Sequence, residues 1–333
     1  MRPSSLNESS LLNLMATESA RSRTLRLGTR GSKLARWQAE WVAGELQRQG
    51  HVVELIEIAT RGDLEQVVAV EEIGTRGVFT KEIQRALLND DVDLAVHSLK
   101  DLPTEPVEGL MLAAVPERES PADVLVVRSE GRAARGEVEL AALPPGARVG
   151  TGSLRRQAQL RHARPDLQPL DVRGNVDTRL RKLDDGQFDA LVLAEAGLRR
   201  LGLTDRISQR LPFEVMLPAV GQGALGIECR TNDQTTREAV AALNHSETHA
   251  AVIAERSLLE HLRGGCMAPV GALARLAGGT LQLSAVVLSA DGVQRLAVSM
   301  NGSAEDAASL GVQAAEALLA QGAEKLIAAS RNG

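Results

Sequence analysis

Val92-Asp93-Leu94-Ala95-Val96-His97-Ser98-Leu99-Lys100-Asp101-Leu102-Pro103 is a short apolar run that gives way to polar residues and is stopped by a proline. Preceded by the helix-like stretch Lys81–Leu88, it reads as a buried strand of an α/β sheet, Val92–Val96, with His97 at its end. His97 to Asp101 then stand at the carboxyl end of that sheet, where open α/β sheets bind ligands. The alternation of strand and helix extends outward from there. Thr24–Thr29 reads as a strand, Lys33–Arg48 as a helix closed by Gly50, and Val52–Ala59 as the next strand. Between these and Lys81, residues 61–78 are polar, with three glycines and no period, and read as a long loop of the kind that covers a site.

A second α/β unit begins at Asp123–Val127 and resumes at Arg148–Gly150 after a loop holding Pro144, Pro145 and Gly146. It continues through a helix from Leu154, a strand at Leu167–Val172, a helix at Val176–Leu183 and a strand at Asp189–Ala194. Leu225–Cys229 is one more strand and is assigned back to the first unit, so the chain crosses between the units twice. A helix at Glu247–Leu262 opens a third unit: an antiparallel meander (Val270–Ala274, Leu281–Ser289, Val293–Met300) closed by an Ala-rich helix at Ala304–Ala320. The expectation is an α/β protein of three domains, the third a small α+β domain with an antiparallel sheet. Residues 1–22 are a Ser-rich extension, with Met15 an alternative start. Residues 23–118 with 224–242 form the first domain, 119–217 the second, 218–223 a hinge, and 243–333 the third.

Composition narrows the function. The 333 residues exceed what one core usually organises, and 44% apolar with 24% charged residues suits a globular protein. Aromatics are confined to Trp37, Trp41, Phe79, Phe188 and Phe213, and the net charge is -5, which argues against nucleic acid. No apolar run is long enough to cross a bilayer. Cys229 and Cys266 show no zinc or disulfide spacing, which suits a reducing, cytoplasmic compartment. The segment from Arg148 to Arg210 holds twelve Arg and one Lys against seven Asp and one Glu, a positive stretch in a negative chain that suits an anionic ligand.

The motifs sharpen that reading. Gly150-Thr151-Gly152-Ser153-Leu154-Arg155-Arg156-Gln157 joins a strand end to a helix start, with free backbone N–H groups and two arginines at an anion site. The plainer alternative is that Ser153 caps the helix and both arginines lie on a solvated face. Arg173-Gly174-Asn175-Val176-Asp177-Thr178-Arg179 repeats the design, and Arg199-Arg200 adds a third cluster, so all three are expected to converge on one cleft. Asp101 beside Lys100 is either a general acid/base or stabiliser of positive charge, or part of a surface turn ended by Pro103. His97 is expected to be a structural hydrogen-bonder. Gly264-Gly265-Cys266-Met267-Ala268-Pro269 puts a cysteine in a flexible loop, reactive or simply buried, whereas Cys229 reads as a core residue. Gly221-Gln222-Gly223-Ala224-Leu225-Gly226 matches the letters of a dinucleotide fingerprint but leads into a strand, not a helix, and reads as a hinge.

Taken in order with Gly28-Thr29-Arg30-Gly31-Ser32-Lys33-Leu34-Ala35, these motifs resemble the porphobilinogen deaminase (hydroxymethylbilane synthase) family from about Arg26 to the C-terminus. The resemblance implies two lobes like those of a type II periplasmic binding protein, a third domain, and a dipyrromethane cofactor held by a thioether to Cys266. It implies a transferase that condenses four porphobilinogen molecules head to tail on that primer with loss of ammonia, then releases linear hydroxymethylbilane by hydrolysis. Asp101 would hydrogen-bond pyrrole nitrogens and assist loss of ammonia. Lys100, Arg155 and Arg156, with Ser98, Thr151 and Ser153, would hold cofactor carboxylates, while Arg30, Ser32, Arg173, Arg179 and Arg200 would meet the substrate or the growing chain. Arg76 would be a moving cation of the covering loop. A monomer, no metal, and transfer of product to uroporphyrinogen III synthase are further implications. Glu195 departs from the family pattern, and an Arg neighbour is its expected partner. The competing reading is a non-catalytic dicarboxylate-binding protein of the same two-lobed fold, which leaves Cys266 and the third domain without a role.

Overall fold

The computed structural model describes residues 23–59, 80–128, 139–264 and 268–330. The extension at 1–22, the loop at 61–78 with Arg76, and Cys266 lie outside the described residues.

The first lobe starts with β1 (Thr24–Thr29), α1 (Lys33–Arg48), β2 (Val52–Glu57), α2 (Lys81–Leu88), β3 (Leu94–Ser98) and β4 (Leu110–Ala114). In α1 the positions 38, 39, 42, 43 and 46 recur at helical spacing and are buried, and Ser32 caps its start by accepting from the Ala35 N–H. That face packs on one side of the sheet, while Ile83, Ala86 and Leu87 of α2 pack on the other, so β3 is buried almost throughout.

The second lobe contains β5 (Asp123–Val127), β6 (Arg148–Gly150), α3 (Leu154–Ala163), β7 (Gln168–Leu170), α4 (Val176–Asp184), β8 (Ala190–Ala194), α5 (Glu195–Arg200) and the short β9 (Gln209–Arg210). The chain then returns to the first lobe in β10 (Leu225–Arg230) and α6 (Gln234–Ala241). The sheet orders are β2-β1-β3-β10-β4 and β7-β6-β8-β5-β9. Both follow one plan: three parallel strands, then an antiparallel strand supplied by a crossing chain, then an antiparallel edge. This is the expected two-lobed architecture of a type II periplasmic binding protein.

The third unit is α7 (Ser246–His261), the antiparallel sheet β11 (Val270–Ala277), β12 (Thr280–Leu288), β13 (Arg295–Gly302), then α8 (Ala307–Ala320) and α9 (Ala323–Ala329). Helices α7 and α8 cover one face of the sheet and approach so closely that a Cβ on Gly311 would lie 2.3 Å from the Ala254 carbonyl oxygen.

Boundaries moved where side chains capture backbone. β3 begins at Leu94, not Val92, because the Val92 carbonyl accepts from Arg230 and the Asp93 carboxylate gathers Arg23, Arg26 and Arg230. The last expected helix starts at Ala307 and breaks at Gly322, whose φ of 101° redirects the chain into α9, an element not foreseen. Strands β4 and β9 were also not foreseen.

The two crossings run side by side. Glu119 N–H donates to the Gly223 carbonyl at 3.3 Å. The third unit grips both through Glu255 of α7, which is fully buried. Its carboxylate accepts from Arg118 at 2.7 and 3.1 Å, from the Gly221 N–H at 2.7 Å and from the Ala274 N–H at 2.8 Å.

Candidate active site

The polar end of β3 continues into a single 3-10 turn, Leu99–Asp101, which lifts Lys100 and Asp101 to the mouth between the lobes. Opposite stand the start of α3, with Arg155 and Arg156, and of α4, with Arg179. Arg155 and Arg156 are 4% and 6% exposed, so the solvated-face alternative is excluded. Ser153 occupies the N-cap position of α3 without a side-chain cap bond, which leaves its hydroxyl uncommitted to the helix. Thr151 is fully buried, and its hydroxyl accepts from the Ser153 N–H at 3.3 Å.

Both arginines converge on a carboxylate that sequence reasoning missed. Asp123, at the start of β5, accepts through Oδ1 from Arg156 Nε and Nη2 at 2.9 and 2.7 Å, and from Gln222 Nε2 at 3.0 Å. Its Oδ2 is 2.7 Å from Arg155 Nη1, close as an ion pair but not aligned as a hydrogen bond. Burial would raise the Asp123 pKa, but Arg155 and Arg156 outweigh it and hold the carboxyl at about 2. The only available signal was an acid opening an otherwise apolar strand.

Charge at this junction is unbalanced toward the cation. Burial pushes the Lys100 ammonium down to about 8; Asp101 opposes that shift and Arg156 adds to it. Burial likewise lowers Arg179 to about 10, with Arg156 adding and Asp171 and Asp101 opposing. Arg155 Nε is buried with no hydrogen-bond partner among the described residues. Thus Asp101 and Lys100 from one lobe share a field with Arg155, Arg156 and Arg179 from the other. The Asp101 carboxylate itself makes no hydrogen bond among the described residues.

Asp101 also lines a cavity of about 70 Å³ with Arg30, Ser32, Gln38, Thr80, His97 and Ser98. Gln38 Nε2 donates to Ser98 Oγ at 2.9 Å. His97 Nε2 lies 3.2 Å from Glu228 Oε2, both side chains buried, as suits a structural histidine. The lobes touch in front of this cavity: Lys33 Nζ is 2.6 Å from Asp177, and the Arg200 guanidinium sits 6.0 Å above the Trp37 ring.

The expected convergence of three arginine clusters is only partly realised. Arg179 turns inward, donating through Nε to the Gly174 carbonyl. Arg173 pairs with Asp171 on an exposed rim at 2.9 Å. Arg200 donates to the Gly223 carbonyl at 2.6 Å, and burial lowers its pKa to about 10. Arg199 turns the other way, onto Glu195, which also takes Arg210 and the Ser120 hydroxyl. Glu195 therefore draws Arg199 and Arg210 to itself and not Arg200. Cys229 is the core residue expected, its thiol pushed up to about 11 by burial. Among the described residues there is no cluster of His, Cys, Asp and Glu able to hold a metal, and no helix is long and apolar enough to cross a membrane.

Residues 25–238 match the family model described as porphobilinogen deaminase, dipyromethane cofactor binding domain, and residues 249–320 match its C-terminal domain. The porphobilinogen deaminase of Desulforudis audaxviator is 51% identical over 92% of this chain and 98% of its own. That of Synechococcus elongatus is 49% identical over 93% and 96%, and that of Geobacter metallireducens 48% identical over 91% and 94%. Among solved structures, the VFT2 domain of Bordetella pertussis BvgS is 15% identical over 72% of this chain and 92% of that one, with a TM-score of 0.40, too distant to bear on the site. With matches spanning the lobes, the third unit and the motifs at the cleft, the chain belongs to the porphobilinogen deaminase family.

Proposed function

We propose that this chain is a hydroxymethylbilane synthase, joining four porphobilinogen molecules on a dipyrromethane primer with loss of ammonia and releasing the linear product by hydrolysis. The observation that carries the reading is the cross-lobe cluster: one uncommitted carboxylate, Asp101, among Lys100, Arg155, Arg156 and Arg179. Each porphobilinogen brings an acetate and a propionate, so the charge to be neutralised grows with every addition. The residues fit such a group. Arg155 Nε lacks a hydrogen-bond partner among the described residues, and Lys100 is held below its ordinary value of 10.5. Both deficits are met by carboxylates placed between the lobes.

In this mechanism Lys100, Arg155 and Arg156, with Ser98, Thr151 and Ser153, bind the primer's carboxylates, and Cys266 anchors it by a thioether. When bound, the dipyrromethane supplies the free pyrrole α-carbon to which the next ring is joined. Arg30, Ser32, Arg173, Arg179 and Arg200 hold the substrate and the lengthening chain. Asp101 accepts hydrogen bonds from pyrrole N–H groups, and its charge stabilises the cation that develops as the aminomethyl nitrogen departs. Burial of Arg155 and Arg156 strengthens the interactions they make. Division of the chain at 118/119, 218–223 and 242/243, a monomeric state, a cytoplasmic site and transfer of product to uroporphyrinogen III synthase belong to the same proposal.

The test is the intact mass of the denatured chain beside that of Cys266→Ala, with turnover of Asp101→Ala measured in parallel. The expected result is a mass excess of two condensed pyrrole units in wild type only, and near loss of turnover in folded Asp101→Ala. No adduct even after incubation with porphobilinogen, or wild-type-like turnover in Asp101→Ala, would overturn the reading.

A further inference from the structure

We infer that Arg256 of α7 is the positioning residue that fixes the turn bearing Asp101; the inference rests on the catalytic role proposed above for Asp101. The geometry is a guanidinium fork on two successive carbonyls. Arg256 Nη1 donates to the Leu102 carbonyl at 2.9 Å and Nη2 to the Pro103 carbonyl at 2.6 Å. These are the residues directly after Asp101, where Pro103 prevents the turn from continuing as helix. One turn of helix before Arg256, Val252 packs with Leu99 and Leu102, so one face of α7 holds the turn by both packing and hydrogen bonds.

Asp101 needs such a hold because its own side chain supplies none. The carboxylate is exposed and makes no hydrogen bond among the described residues. Its position is therefore set by its backbone. At the entry to the turn, the Leu99 N–H donates to the Ala224 carbonyl at 3.0 Å; within it, the Leu102 N–H donates to the Leu99 carbonyl at 3.2 Å. At the exit, the fork from Arg256 closes the frame. The helix that carries Arg256 ends at His261, five residues on, and in the sequence Cys266 follows that end by another five. Planar, bidentate donation suits Arg and cannot be copied by the single ammonium of Lys.

The test uses the full chain carrying its cofactor, as wild type, Arg256→Lys and Arg256→Gln. Intact mass reports loading, thermal unfolding reports folding, steady-state kinetics give kcat and KM for porphobilinogen, and hydrogen exchange reports the Leu102 amide. The expected result is unchanged loading and melting, KM within about twofold, and kcat lowered roughly 10- to 100-fold in Arg256→Gln and less in Arg256→Lys, as a displacement near 1 Å produces. Exchange at Leu102 should quicken at least about tenfold while α7 stays protected. A wild-type kcat in both variants, or equal losses of kcat, loading and melting temperature, would overturn the proposal in favour of a plain structural tie. If wild type itself fails to turn over porphobilinogen, the functional reading falls, and unchanged exchange at Leu102 would still separately refute the positioning role.

Discussion

Replacing Asp123 by Asn removes one charge from the most enclosed part of the cleft at almost no change in volume. The carboxylate is fully buried, and the Arg155 and Arg156 side chains it serves are 4% and 7% exposed. An amide can keep one oxygen toward Arg156, but its NH₂ must then face Arg155 at the 2.7 Å now occupied by a carboxylate oxygen. Two buried guanidiniums would share no counter-charge, and stripping one partner from a buried ion pair costs about 3–5 kcal/mol. At roughly 2 °C per kcal/mol for a large domain, melting should fall by about 6–10 °C. Asp166→Asn is the control: Arg164 is as close, 2.6 Å, but the pair is 20% and 37% exposed, and solvent screening makes loss of such a surface pair far less costly. The assay is urea unfolding of both variants, each also made in Cys266→Ala. The Asp123→Asn deficit should be larger in Cys266→Ala, which on the proposed anchoring has no primer carboxylates to replace the lost charge. Equal effects of the two substitutions, or a loss below about 1 kcal/mol for Asp123→Asn, would refute the argument that burial sets the value of this pair.

Two further outcomes follow from the same structure. Asp93, Asp123 and Glu195 are each held at about 2, against the opposing effect of burial, by arginine partners. Because their folded values lie below the unfolded ones, their stabilisation is complete above about pH 4.5 and is lost as pH falls toward 2, so urea midpoints should drop steeply only in that window; a steep loss already at pH 6 would contradict it. Gly223→Ala should destabilise far more than Gly50→Ala. Both have φ near 90°, but a Cβ at Gly223 would lie 2.3 Å from the Glu119 carbonyl oxygen of the other crossing, whereas nothing lies within 4 Å at Gly50. Equal melting temperatures would show that the crossings can part freely.

What the sequence revealed and what it hid divide along a physical line. Strands such as Asp123–Val127 and helices such as Lys33–Arg48 were legible because burial of one face imposes a period on a contiguous stretch. β9 escaped because two residues carry no period, and α9 because its start depends on the left-handed turn at Gly322. At the site, Lys100, Asp101, Arg155 and Arg156 could be named because each follows a strand end, a position defined locally. Asp123, Gln222, Glu255 and Arg256 could not. Each is defined by a partner far along the chain, as Arg256 is by Leu102 and Pro103 across 154 and 153 positions.

The arginine-rich segment makes the same point in charge. Its excess of positive residues suggested an anionic ligand, yet many of those arginines have local carboxylate partners: Arg148 with Asp189, Arg164 with Asp166, Arg206 with Asp184, and Arg199 and Arg210 sharing Glu195. Numbers of arginines therefore say little; the informative quantity is which cations are buried without enough carboxylate. Arg155 and Arg156 meet that condition and the half-buried Lys100 lies beside them, with Asp123 as the buried carboxylate and Asp101 left uncommitted. Such a cluster is a standing cost to the empty fold, paid back when carboxylates enter. On the proposed function, this under-compensation is the feature that favours a polyanionic primer. Filling the gap with a further protein carboxylate would steady the fold and weaken the site.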